Sequence, residues 1–281
     1  MTTKITDDEI ALLARYIHAV SGIRIDSSKS YLLETRLGEL LGEFHLNSYF
    51  DLYQKAKSDA GKFVQIRIID AISTNETFFF RDMDTFNVLQ NKIIPDLIDA
   101  RSFGASTFLP IPLRIWSAGC STGQEIYSIA ITLKELLGDM KKYRVKLLGT
   151  DISDAAIGKA SYGLYNKFEV ERGISPSRLM KYFTPYGSDW KINDEIRAMA
   201  LFKRLNLLEP FNPLGKFDVV FCRNVAIYFD VHERRRLFEK IAGILEPDGA
   251  LIIGASESLT GVCTLFEPKR YLRSIFYQLK R

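Results

Sequence analysis

Apolar positions recur at helical spacing through the start of the chain. Ile10, Leu13, Ile17 and Val20 share one face behind Thr6-Asp7-Asp8-Glu9, whose residue types suit an N-cap and an acidic first turn. A second helix is predicted over residues 31–41, a third behind the capping pair Asn47-Ser48, and a fourth from Phe63-Val64 to Ile72. No strand-like alternation interrupts them. Residues 1–72 therefore read as a small all-α domain, followed by a linker over residues 73–91.

The period changes further on. Residues 113–116 read as a short buried strand, 117–123 as a glycine-containing loop, and 124 to about 137 as a helix. Residues 143–149 form a second strand closed by Thr150-Asp151, and 217–222 a third. A helix over 232–245, a turn at Pro247-Asp248-Gly249 and a strand over 250–253 complete the series. Strands alternating with helices predict a doubly wound, Rossmann-like α/β domain over residues 92–281, with ligands at the carboxyl ends of its strands. Between about 161 and 205 the alternation breaks, and Tyr, Phe, Gly and Pro become frequent. That stretch reads as an inserted antiparallel β-subdomain, with Lys191-Ile192 and residues 198–202 as its short strands.

The loop after the first strand narrows the chemistry. Its glycines fall only at 119 and 123, so the dinucleotide spacing G-x-G-x-x-G is not met. No Lys-Ser or Lys-Thr follows Gly123, so the triphosphate-binding loop is excluded as well. A smaller cofactor lying near the backbone remains. Asp151, ending the second strand, is placed to accept hydrogen bonds from two ribose hydroxyls, which suits an adenosyl group without phosphates. A plain glycine turn with a helix-capping aspartate is the alternative. Arg223-Asn224, directly after an apolar strand, put two polar groups where such sheets bind ligands.

Composition alters this picture little. The 281 residues carry 38 Lys and Arg against 34 Asp and Glu, a net charge of +4, well short of a nucleic-acid footprint. No apolar run approaches the ~20 residues that cross a bilayer, and the start lacks signal-peptide character, so a cytoplasmic protein is expected. Cys120, Cys222 and Cys263 are too scattered for a disulfide framework, and His18, His45 and His232 lie far apart, so no metal centre is expected. By residue type alone, Phe78-Phe79-Phe80 and Tyr228 read as core.

Six strings, in order, resemble the CheR family of chemotaxis receptor methyltransferases: residues 73–82 (STNETFFFRD), 116–125 (WSAGCSTGQE), 149–152 (GTDI), 206–208 (NLL), 221–230 (FCRNVAIYFD) and 254–259 (GASESL). The resemblance spans nearly the whole chain. It implies a methyltransferase using S-adenosylmethionine, leaving S-adenosylhomocysteine, and esterifying glutamates in the cytoplasmic coiled-coil region of methyl-accepting chemoreceptors. It implies that Asn75, Thr77 and Arg81 contact the cofactor from the linker, that Glu125 binds the methionine amino group and Asp151 the ribose. Asn206 and Leu207 would border the adenine, Arg223 and Asn224 would complete the pocket, and Tyr228 would lie near the transferred methyl. Arg81 and Tyr228 are thus the catalytic candidates, with either Arg81 or Arg223 to pair the cofactor's carboxylate.

Two positions depart from the common pattern, Ile126 and Ala226, and both read as packing changes. A receptor tail docking on the inserted sheet is a further implication, as is a basic docking surface at Lys29 and Arg36 on the helical domain. The expected enzyme is a monomer without nucleic-acid or membrane partners. Two other classes compete: a cofactor-binding regulator without transfer, and a methyltransferase for RNA or a small molecule. The joint presence of Arg81, Glu125, Asp151, Arg223 and Tyr228 speaks against the first, and the mild charge against RNA.

Overall fold

The computed structural model describes residues 4–25, 30–102 and 110–280. Its first four helices are α1 (Asp7–Ser21), α2 (Ser30–Glu43), α3 (Tyr49–Ser58) and α4 (Phe63–Ile72). The Thr6 hydroxyl accepts from Glu9 N–H while the Glu9 carboxylate reaches back to Thr6, a reciprocal cap on α1. Ser48 caps α3 through Asp51 N–H. Each cap contributes about 1 kcal/mol, so most of the stability comes from packing. Leu13, Ile17, Leu33, Leu37, Leu52 and Ile68 are fully buried in one shared cluster. The expected face of α1 is that of Leu13 and Ile17, with Ile10 and Val20 at its half-buried margins.

A helical run begins soon after. It comprises α5 (Met83–Val88), a π-type turn over Leu89–Ile93, and α6 (Ile94–Ser102). The remaining elements are β1 (Ile111–Ala118), α7 (Gln124–Leu137), β2 (Tyr143–Asp151), α8 (Asp154–Tyr162), β3 (Leu164–Tyr165), α9 (Lys167–Glu171), α10 (Pro176–Tyr182), β4 (Phe183–Tyr186), β5 (Asp189–Ile192), α11 (Asp194–Arg197), β6 (Ala200–Arg204), β7 (Phe217–Cys222), α12 (Val231–Ile244), β8 (Leu245–Ile253), β9 (Phe266–Tyr271) and β10 (Ser274–Leu279).

Seven strands form the main sheet in the order β6-β2-β1-β7-β8-β10-β9. The first five pair in parallel; β10 runs antiparallel to β8, and β9 to β10. The chain builds outward from β1 through β2 to β6 and then returns to β7 beside β1. The strand order therefore reverses between β1 and β7, where ligand crevices form. Alternate residues feed two cores, one on each face. Leu113 and Ile115 of β1 pack with Ile126, Ala130 and Leu133 of α7. Trp116 and Ala118 pack with Leu237, Phe238 and Ile241 of α12. Ile126 and Ala226 are both buried in these cores, as packing positions should be.

Two local expectations are corrected. Residues 198–202 do not pair with Lys191-Ile192: β6 is the outer strand of the main sheet, parallel to β2 with Leu148 opposite Leu201. The small sheet is instead β3-β5-β4, all antiparallel. Pro247-Asp248-Gly249 is not a turn between elements but a bulge inside β8. Phe217 pairs Leu245 while Val219 pairs Ala250, so Asp218 alone faces residues 246–249. Buried Asp218 is held there by Arg101 and by the Arg114 N–H. No expected strand corresponds to β9 or β10.

The helical domain is tied to the sheet at several points. Asp70, near the end of α4, accepts from the Ser153 hydroxyl (2.7 Å) at the start of α8. Asn206 donates to Val20 O (2.9 Å), and Arg24 N–H donates to Tyr228 O (3.2 Å). At Gly22, φ is 74°, and a Cβ would stand 2.5 Å from the Phe229 ring, so only glycine ends α1 here. Arg36, expected as a docking charge, donates to Ile72 O (2.7 Å) and braces the linker, while Lys29 lies outside the described residues.

Candidate active site

A cavity of about 310 Å³ opens at the carboxyl ends of β1, β2 and β7, under the linker and against the end of α1. All ten residues singled out from the sequence line it: Asn75, Thr77, Arg81, Glu125, Asp151, Asn206, Leu207, Arg223, Asn224 and Tyr228.

The glycine loop shapes its floor. Gly119 and Cys120 N–H both donate to Thr150 O (2.8 and 2.9 Å), folding the loop back over β2. Ser121 then adopts φ of 50° and points its N–H at the Asp151 carboxylate (2.8 Å). Ser153 N–H donates to the other Asp151 oxygen (3.0 Å). Asp151 is thus not a helix cap; Ser153 caps α8. Burial raises the Asp151 pKa above the ordinary carboxylate value, and the N–H groups of Ser153, Ser121 and Ile152 oppose the shift in part. The Ser121 and Ser153 bonds fall on different oxygens, and a carboxylate with about four acceptor sites still has capacity for the hydroxyls of a ribose.

Glu125 stands in the first turn of α7. One of its oxygens accepts from the Ser117 hydroxyl (2.7 Å), the other from Arg223 (2.9 Å). Arg223 is almost wholly buried and also donates to Arg81 O (2.9 Å) and to the Asp82 carboxylate (2.6 Å). Both terminal nitrogens of its guanidinium are engaged by protein acceptors, while its Nε is buried without a partner. Of the two arginines considered for the cofactor's carboxylate, Arg81 is the one left to serve. Asn224, with φ of 56°, is held by its N–H to Glu257 (2.8 Å), which also takes Gly254 N–H (2.7 Å). Asn206 is fixed between Val20 O and its own contact with Leu208 N–H (3.0 Å).

The linker crosses above. Phe79 is buried between Tyr165 and Phe183 of the inserted subdomain, with ring centroids 5.0 and 5.4 Å away. Phe80 has φ of 53°, a conformation that costs a bulky residue about 1–2 kcal/mol. Its burial against Phe86, a hydrogen bond from its N–H to Ser128 Oγ (2.9 Å) and the Arg178 guanidinium over its ring (4.1 Å) offset that cost. Phe78 is not core: it lines the cavity between the guanidinium groups of Arg172 (4.4 Å) and Arg81 (5.7 Å). Arg81 donates to Glu76 O (3.2 Å) and keeps donors free.

Cys120 faces the same cavity, but burial holds its thiol well above the ordinary range, so it offers no nucleophile. No histidine lines the cavity among the described residues. His18 does meet Asp230 and Glu233, a proximity hidden by sequence distance. Asp230 and Glu233 are already engaged there in a reciprocal cap of α12.

Asp82, Ser117, Ser121 and Glu257 are the site residues that motif reading left unassigned. Asp82, Ser117 and Ser121 lie inside the first two matching strings and Glu257 inside the last, yet no spacing rule says which polar side chain within a string faces inward.

The residues fit an S-adenosyl ligand: a carboxylate with free acceptors for ribose, a second carboxylate for an ammonium and a free arginine for a carboxylate. Fold and cavity together define an S-adenosylmethionine-dependent methyltransferase. Residues 75–272 match the profile of the CheR methyltransferase SAM-binding domain, and residues 8–73 that of the CheR methyltransferase all-alpha domain. The chain is 36% identical over 279 residues to chemotaxis protein methyltransferase 1 of Vibrio cholerae, covering 98% of each. It is also 36% identical over 277 residues to chemotaxis protein methyltransferase 1 of Pseudomonas aeruginosa, covering 97% of this chain and 98% of that one. The protein belongs to the CheR methyltransferase family. No helix among the described residues is long and apolar enough to cross a membrane.

Proposed function

We propose that this enzyme methylates glutamate side chains in the cytoplasmic coiled-coil region of methyl-accepting chemoreceptors, forming glutamate methyl esters, and that it acts as a cytoplasmic monomer. The observation that carries this reading is the meeting of Arg81 and Tyr228 with Glu125 and Asp151 in one cavity. When bound, S-adenosylmethionine supplies an electrophilic methyl group on its sulfonium.

Glu125 holds the cofactor's ammonium, Asp151 its ribose and Arg81 its carboxylate. Asn206 and Leu207 would border the adenine, Asn75 and Thr77 would contact the cofactor from the linker, and Arg223 and Asn224 would complete the pocket. A glutamate side chain, with a solution pKa near ~4.3, is already ionised at neutral pH and needs no base. What remains is placement: the carboxylate must lose water, keep its charge and point one oxygen along the methyl–sulfur axis. A neutral hydroxyl donor does this without protonating the nucleophile, which is the role of Tyr228. The suppressed Cys120 thiol accords with chemistry that moves no proton. In the small sheet, β4 is an edge strand with Tyr186 exposed, a place where a receptor tail could add as a further strand.

Transfer of radiolabelled methyl groups to receptor cytoplasmic fragments, followed by mild alkali, tests the reading. Carboxyl methyl esters release volatile methanol. Label that stays on protein through alkali, or that goes only to RNA or small molecules, overturns it.

A further inference from the structure

Asp82 lies outside the residues assigned to the cofactor and does not line the cavity. Its carboxylate is the second anion on Arg223, 2.6 Å from one terminal nitrogen, while Glu125 sits 2.9 Å from the other. The guanidinium is 2% exposed and Glu125 13%, so solvent screens that pair little, while the Asp82 carboxylate, 39% exposed, is partly screened. With Glu125 alone, that buried arginine would form a neutral pair and leave the cavity's carboxylate with its charge spent. Two carboxylates on one guanidinium leave one formal negative charge on the trio, and Glu125 is its cavity-facing end.

We propose that Asp82 is a positioning residue for the cofactor: by sharing Arg223 it leaves Glu125 with the charge that takes up the cofactor's ammonium. This rests on the reading of Glu125 given above. The other charged groups lining the cavity are Arg81, Glu76 and Asp151. Glu76 is turned to Arg172 (3.1 Å), and Asp151 is held by backbone N–H groups, so neither relieves Arg223.

The backbone favours a clean test. Asp82 has φ of 60°, a conformation that asparagine adopts more readily than most residues, and an amide oxygen can still accept from Arg223. Asp82→Asn thus removes the charge and keeps the shape.

Calorimetry would compare S-adenosylhomocysteine with 5′-methylthioadenosine, which carries the adenosyl group and thioether but neither ammonium nor carboxylate. Asp82→Asn should weaken S-adenosylhomocysteine by about tenfold or more, the scale of one charge-assisted hydrogen bond, and leave methylthioadenosine nearly unchanged. Asp82→Glu should restore affinity, and Asp82→Ser should repeat the selective loss. Methylthioadenosine binding in each variant doubles as the check on folding.

Equal loss of both ligands would make Asp82 a plain strut and overturn the proposal. Wild-type affinity for S-adenosylhomocysteine in Asp82→Asn would overturn it too. A Glu125→Gln control separates the two assignments: if only Asp82→Asn behaves as wild type, the Asp82 role fails alone, and if both do, the Glu125 assignment falls with it.

Discussion

At the scale of single residues, Asp151 and Tyr228 make opposite demands. Asp151 is held by Ser121 and Ser153 N–H groups with acceptor capacity to spare, and its proposed role is binding. Asp151→Ala should cost ~2–4 kcal/mol of S-adenosylhomocysteine affinity, two charge-assisted hydrogen bonds, read by calorimetry. Because burial sets its folded pKa above the ordinary value, affinity should begin to fall on acidification at a higher pH than an unperturbed carboxylate would give. Asp151→Asn should remove that component of the profile; an unchanged profile would contradict the assignment. Tyr228→Phe should lower kcat by ~10–100-fold with cofactor affinity nearly intact, since one positioned hydrogen bond is worth roughly 1–3 kcal/mol. Single-turnover rates at saturating cofactor would show it. Which residues line the cavity was legible because each named position sits inside a matching string. Partners were not: that Arg223 is spent on Asp82 and Glu125, or that Phe78 alone of three phenylalanines faces the cavity, depends on folding.

At the scale of elements, the linker crosses the cavity and touches three of the parts around it. It is bound to the loop below through Ser121 Oγ to Asn75 O (3.1 Å), to the inserted subdomain through Phe79, and to Arg223 through Arg81 O. Its first residues, Thr74 to Glu76, are nevertheless exposed. Amide exchange across residues 73–82 should slow when S-adenosylhomocysteine binds, and unchanged protection there would refute a covering role. Helices with caps and strands with full burial were readable, as α1, α3 and β7 show, because their period and boundaries are local. Residues 198–202 misled because a short apolar run does not say which sheet it joins; its partner, β2, lies some fifty positions earlier (Leu148 against Leu201). The Pro-Asp-Gly bulge misled because turn chemistry looks alike inside and outside a strand.

On the scale of the whole molecule, the helical domain closes one wall of the cavity rather than hanging beside it. Ser21 and Ile23 line the cavity, Asn206 holds Val20, and Lys240 of α12 secures the intervening loop by donating to Leu207 O and Glu209 O. Burial lowers the Lys240 pKa to about 8. Below that pH the lysine is charged in both folded and unfolded chains, and its burial cost is present in full. The cost is relieved as pH rises from about 8 toward the unfolded value of 10.5. Stability should therefore gain from this group across that window, and Lys240→Met should remove the gain, as thermal unfolding at a series of pH values would show. In the proposed function, the substrate reaching this cavity is a glutamate carboxylate of a receptor protein. Mass spectrometry of a receptor cytoplasmic fragment after incubation with enzyme and S-adenosylmethionine tests that claim most directly. The account predicts methyl groups on glutamate side chains, removed by mild alkali and absent with the Asp151→Ala enzyme. Methyl groups on lysine, arginine or any alkali-stable position, or an unmodified fragment with active enzyme, would contradict it.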